Sequence, residues 1–125
     1  MQKIEETTIK LNRGDTLNIN LTIKKEDETD YLFEEGDKIT FSIYNKGKLN
    51  EKAVLLKEIN TTPGTTSVNI YCDSEETKIG ELVNKPVDYW YEIELNGEYT
   101  ILGYDDKGAK LFKLYPEGSK IQWME

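Results

Sequence analysis

The sequence predicts an all-β fold, an antiparallel two-sheet β-sandwich, and three observations predict it. Apolar and polar residues alternate with a period of two through most of the chain. Turn-forming pairs such as Pro63-Gly64 and Asn96-Gly97 interrupt that alternation at short intervals. No window keeps the spacing of an amphipathic helix for more than about two turns. With 125 residues the chain fits one domain, because a chain of this length can bury roughly two thirds of its extended surface around a single core. The expected core runs over residues 7–115 and a C-terminal tail over 116–125.

The elements follow in order. A first strand is expected near residues 7–11, and a second carries Leu17, Ile19, Leu21 and Ile23 on one face with Asn18, Asn20 and Thr22 on the other. The next strand, 38–44, buries Ile39, Phe41 and Ile43, and the turn chemistry of Asn45, Lys46, Gly47 and Lys48 leads to a strand near 53–59. After the Pro63-Gly64 loop, Val68, Ile70 and Cys72 share a face. Residues 73–80 read as one or two helical turns: Asp73 can cap them, Glu76 completes a capping box, Gly80 ends them, and Ile79 and Leu82 plug the core. The Asn96-Gly97 pair predicts a two-residue hairpin joining two long strands, and a second hairpin near 104–109 leads to a last strand at 111–115. Seven or eight short strands with one helical turn result, with no internal repeat or linker.

Composition excludes several classes of function. Sixteen basic and 24 acidic side chains give a net charge of −8, which repels nucleic acid phosphates and anionic lipid surfaces. No apolar run is long enough to span a bilayer, and the first residues lack the basic and apolar regions of a signal peptide, so cytoplasmic synthesis is the expectation. Histidine is absent, which removes the commonest general base and the commonest metal ligand. Cys72 is the lone cysteine and lies in a strand pattern, so it reads as a small buried apolar residue. The sequence calls for no cofactor.

Four patterns invite a functional reading. Arg13-Gly14-Asp15 matches an adhesion tripeptide, but it runs directly into a core strand; Gly14 serves a backbone turn and Asp15 bonds nearby backbone donors, so a structural role is expected. Without histidine, a nucleophile would need Lys or a carboxylate as its base; Glu92 and Glu94 share a strand face, but acids so placed are usually solvated, and the chain is expected not to be an enzyme. Acids crowd residues 26–30 and 34–37, yet their spacing departs from the regular calcium loop; a solvated loop is expected, with calcium at Asp27 and Asp30 as the alternative. Finally, Trp90, Tyr44 and Tyr71 fall out of phase with the buried residues of their strands. Outward aromatics on a sandwich commonly contact protein or sugar. The alternative for Trp90 is a place beneath a loop or beneath the tail that carries Trp123.

The order of these pieces carries a resemblance. Arg13-Gly14-Asp15-Thr16 opens a strand, Phe33-Glu34-Glu35-Gly36-Asp37 leads into Ile39-Thr40-Phe41, and a turn over 74–80 precedes Tyr89-Trp90-Tyr91-Glu92-Ile93. From about Thr7 to Tyr115 the chain resembles the N-terminal immunoglobulin-like domain of phage upper baseplate proteins and related small prophage structural proteins. It departs from that pattern in the segment 99–108 and in stopping at Glu125, short of the linker and further domains that such proteins carry. The resemblance implies a structural protein–protein interaction module of a phage or prophage tail, docking other virion proteins or its own copies, with host recognition left to a partner. Contact candidates are Trp90, Tyr44, Tyr71, Glu92 and Glu94, while Arg13, Gly14, Asp15, Asn96 and Gly97 are structural turn residues. Two other readings stand beside it: a carbohydrate-binding or adhesion module that stacks sugars on Trp90, and a small acidic inhibitor that no motif supports.

Overall fold

The protein is described by a computed structural model over residues 2–82 and 84–117; the expected tail from residue 118 onward, Trp123 included, lies outside the described residues. Nine strands form: β1 (Gln2–Glu5), β2 (Thr8–Asn12), β3 (Leu17–Thr22), β4 (Lys38–Asn45), β5 (Leu55–Asn60), β6 (Ser67–Cys72), β7 (Val87–Leu95), β8 (Tyr99–Leu102) and β9 (Lys110–Tyr115). Seven of them make one sheet in the order β1-β2-β9-β7-β4-β5, with β8 also paired to β7, and β3 with β6 makes a second sheet. Pairing is antiparallel except between β2 and β9, which run parallel.

Alternation in the sequence becomes the two faces of each strand. In β7 the inward series Tyr89, Tyr91, Ile93 and Leu95 is buried, and its partners across β4 are Ile43, Phe41 and Ile39, each fully buried. From β9 and β2 come Phe112, Leu114, Ile9 and Leu11. The small sheet covers them with Leu17, Leu21, Val68, Ile70 and Cys72, while Ile19 and Ile23 pack at its margin. Burial pushes the Cys72 thiol up to about 11, which keeps it protonated and inert at neutral pH.

Several expectations change in detail. The strand β1 and the core role of Phe33 were not anticipated; Phe33 sits in a loop, held by backbone bonds to Thr65 and Gly64 and set edge-on to Tyr31 at 5.6 Å. At 73–80 the capping-box bonds form, Glu76 N–H donating to Asp73 Oδ1 at 2.8 Å and Asp73 N–H to Glu76 Oε1 at 3.0 Å. The segment nevertheless remains a turn, and no helix occurs among the described residues. Only the backbone bonds of a single turn follow, Thr77 N–H to the Asp73 carbonyl and Lys78 N–H to the Glu75 carbonyl, both at 3.2 Å, before Gly80 takes φ 68° and ends it, while Lys57 from the inward side of β5 pairs with both Glu76 oxygens. Ile79 does plug the core, but Leu82 is 70% exposed, beyond the turn that was to carry it inward.

The hairpin after β7 is also corrected. Leu95 pairs with Tyr99, so three residues, not two, lie between paired positions, and β8 is short with a register shift between Ile93 and Glu94. Asn96 and Gly97 both take positive φ, 55° and 66°, as the sequence pair implied.

Candidate interaction surface

The outward face of the larger sheet holds four of the five contact candidates. Register places Tyr44 directly across from Trp90, and Trp90 across from Leu111 of β9. The next row reads Leu56, Ser42, Glu92, and the one beyond it Glu58, Thr40, Glu94. Tyr71 does not join them: it lies on β6, in the other sheet, 46% exposed. Trp90 points outward and is half-buried, so of the two places considered for it the one beneath a loop applies. The reason is a loop: Tyr104, itself 61% exposed, sets its ring 5.8 Å from that of Trp90 at 54°.

That loop also controls Glu92. A β-carbon on Gly103 would stand 2.6 Å from Thr100 Cγ2 and 3.0 Å from Glu92 Oε2, so the backbone there passes close over the carboxylate. Burial raises the Glu92 carboxyl above its ordinary value, and the charge of Glu94 adds to the rise. Exposed apolar side chains border the face, Leu56 at 58% and Val54 at 40%. The result is a mixed patch, aromatic in one row and acidic in the next two.

The remaining candidates have internal duties. Arg13 is spent on the 73–80 turn: its guanidinium donates to the carbonyls of Ile79 at 3.1 Å and Gly80 at 3.0 Å, and to Glu117 Oε1 at 3.0 Å. Gly14 is buried at φ 86°, a conformation that disfavours any β-carbon. Its N–H donates to Thr77 Oγ1 at 3.1 Å, and that hydroxyl donates to the Asp15 carbonyl at 2.7 Å. An adhesion tripeptide needs a free arginine on a protruding loop; this arginine is clamped across the chain.

Asn96 is a junction. Its Oδ1 accepts from Lys38 N–H at 2.8 Å, and its Nδ2 donates to Asp37 Oδ1 at 2.9 Å. Asp37, buried, also accepts from Tyr31 O–H at 2.7 Å and Glu34 N–H at 2.8 Å. The Asn96 bond, then those from Glu34 and Tyr31, hold the Asp37 carboxyl below its ordinary value, and Tyr31 is pushed up to about 12. In the acidic loop, Asp27 accepts from the N–H and hydroxyl of Thr29, and Asp30 pairs with Lys24. Among the described residues no three Asp, Glu or Cys side chains are placed to hold a metal ion, and no helix is long and apolar enough to cross a membrane.

One open depression lies at the acidic end of the face, lined by Lys38, Thr40, Glu58, Asn96 and Gly97, and another elsewhere, lined by Glu6, Thr7, Leu102, Asp105, Lys107, Ala109 and Lys110. Neither lining contains an aromatic ring to stack on a sugar. The sequence did not single out Thr40, Ser42, Leu56, Glu58 and Leu111 of this face, nor the loop residue Tyr104 that packs on it. No family model, curated protein or solved structure matches the chain.

Proposed function

We propose that this chain is a non-enzymatic, immunoglobulin-like interaction module of a phage or prophage tail or baseplate, made in the host cytoplasm and docked on other virion proteins or on its own copies. The strand order supports the immunoglobulin-like reading: β4, β7 and β9, extended by β5, follow the plan of strands C, F, G and C′, with β3 and β6 facing them as B and E. The module departs from that plan in a two-stranded second sheet and in the added strand β8.

The observation that carries the interaction reading is the row Tyr44, Trp90, Leu111, apolar side chains crossing three strands of an outward face, with Leu56 exposed at its edge. A sandwich needs apolar residues inward; a continuous outward row is what a docking surface requires. The virion assignment rests on the order of sequence pieces, and the reading gives no residue a catalytic role. Nucleic acid is disfavoured as a partner by the net charge of −8.

Two measurements test it. Light scattering after size-exclusion chromatography, for wild type and Trp90→Ser alone and with co-expressed neighbouring structural proteins, should show an assembly that the variant weakens; equal assembly by both would remove Trp90 from the interface. Mass spectrometry of purified particles should find this chain at stoichiometric levels, and its absence from particles while abundant in cells would overturn the virion assignment.

A further inference from the structure

The Asn96-Gly97 pair turns the chain between β7 and β8, and it also carries a covalent chemistry. A backbone nitrogen can attack the side-chain amide carbon of an asparagine that precedes it, and glycine, having no β-carbon, hinders that approach least. Both residues lie exposed at the tip of the hairpin, where water reaches them. Gly97 N–H, the would-be nucleophile, has no hydrogen-bond partner among the described residues.

The side chain that would be attacked is fixed at both ends. Asn96 Oδ1 accepts from Lys38 N–H at 2.8 Å, Nδ2 donates to Asp37 Oδ1 at 2.9 Å, and the Asn96 N–H itself donates to the Lys38 carbonyl at 2.8 Å. Neither partner belongs to the hairpin. Lys38 opens β4, and Asp37 is buried, its second oxygen accepting from Tyr31 O–H and Glu34 N–H. Closing a ring through Asn96 Cγ and the Gly97 nitrogen requires the side chain to turn toward the main chain and release Nδ2, which breaks both side-chain bonds. The fold therefore holds the reactive pair apart while leaving it wet.

We propose that Asn96 is a deamidation site that the native hairpin holds shut, and that its conversion leaves a chain which folds less stably. Once the hairpin opens, the Gly97 nitrogen gives its proton to water and bonds to Asn96 Cγ; the Cγ–Nδ2 bond breaks, Nδ2 leaves as ammonia, and a five-membered imide remains. One water then opens the imide at either carbonyl, giving aspartate or isoaspartate. Both products lack the donor that Asp37 Oδ1 meets in the native chain. In the aspartate product a carboxylate oxygen takes the place of Nδ2, and because carboxylates only accept, two like charges face each other where a bond stood. Isoaspartate also lengthens the main chain by one carbon between the paired residues Leu95 and Tyr99. Conversion is thus confined to chains whose hairpin has opened, and it does not reverse.

The test follows Asn96 by peptide mass spectrometry at mildly alkaline pH, with wild type in native buffer and in guanidinium chloride. Conversion should be at least about tenfold slower in native buffer, as two side-chain hydrogen bonds, one of them to a carboxylate, imply. Equal rates in the two solutions would overturn the proposal. Asp37→Ala, its fold checked by circular dichroism, should narrow the gap by speeding the native rate. The consequence is read separately in urea unfolding. Asn96→Asp should lower the midpoint, and Asn96→Asp/Asp37→Asn, which exchanges donor and acceptor between the two positions and returns the pair to a single charge, should recover most of the loss. A fall caused by turn geometry alone would not respond to the second substitution. An Asn96→Asp midpoint equal to that of wild type, or a double variant no better than Asn96→Asp, would overturn the assignment of Asp37 as the group that the conversion disturbs.

Discussion

Ser42→Ala should make the isolated protein more stable, against the usual direction of a substitution in a central strand. Ser42 sits in β4, with β5 on one side and β7 on the other, and its hydroxyl is buried without a hydrogen-bond partner among the described residues. Folding removes that hydroxyl from water and returns nothing, a penalty of about 1–3 kcal/mol. Alanine deletes one atom and the penalty together. The lost packing of a single oxygen offsets part of the gain, leaving about 1 kcal/mol in favour of the variant. For a chain of this length that corresponds to a rise in Tm of about 3–6 °C. Urea unfolding is the decisive assay, because a higher midpoint at unchanged slope isolates stability from changes in compactness. A midpoint that stays or falls would refute the reasoning, since it would mean that the Ser42 hydroxyl has a partner in the free protein.

Thr77→Val removes the hydroxyl that accepts from Gly14 N–H and donates to the Asp15 carbonyl; a loss of about 2–3 kcal/mol is expected in urea unfolding, with faster hydrogen exchange at Gly14, while Thr77→Ser should recover most of it. Asp37→Asn should lower the midpoint most at neutral pH: the folded carboxyl lies below its unfolded value near 4, so its contribution is complete above that value and disappears as pH falls through the lower folded one. Wild type and variant should therefore converge in stability in acid, and a constant gap from pH 7 to pH 2 would contradict this. Glu92→Gln should act with the opposite sign, raising stability at neutral pH, because burial and Glu94 disfavour the charged form in the folded chain and the penalty lifts as pH falls through the raised value.

What was legible in the sequence was local. Period two in Leu17–Thr22 and Val87–Leu95 fixes which side chains point inward, and the Asn96-Gly97 pair fixes where the chain reverses. What was not legible depends on pairing between distant segments. Nothing in the run Leu55–Asn60 says that Glu58 will stand across Thr40 from Glu94, because that follows from the order β5-β4-β7. The turn at 73–80 has every local helix-start signal, yet Gly80 at φ 68° ends it after one turn, and the pairing of Lys57 with Glu76 across the sheets could not be read from the segment itself. Gln2 gave no signal at all. Its side-chain amide bonds both the N–H and the carbonyl of Asn18, so an exposed edge of β3 is covered by a residue sixteen positions earlier.

The acidic side chains divide by what they hold, and the division bears on the larger sheet. Asp37 gathers a loop and a hairpin, Glu76 joins the two sheets through Lys57, Glu117 closes on Arg13, and Asp105 receives Lys110. Each ties one part of the chain to another, and removing any of them should loosen the fold. Glu92 and Ser42 behave in the reverse sense, since glutamine at the first or alanine at the second relieves a burial cost without breaking a contact. Chance could place a stray acid on a solvated loop, where it costs almost nothing. It explains less well a partly buried carboxylate beside a buried hydroxyl and a half-buried tryptophan, all on one face. Two neighbours on one outward face, Glu92 and Ser42, therefore carry a burial cost in the free chain, and Glu92→Gln and Ser42→Ala read that cost directly in urea unfolding.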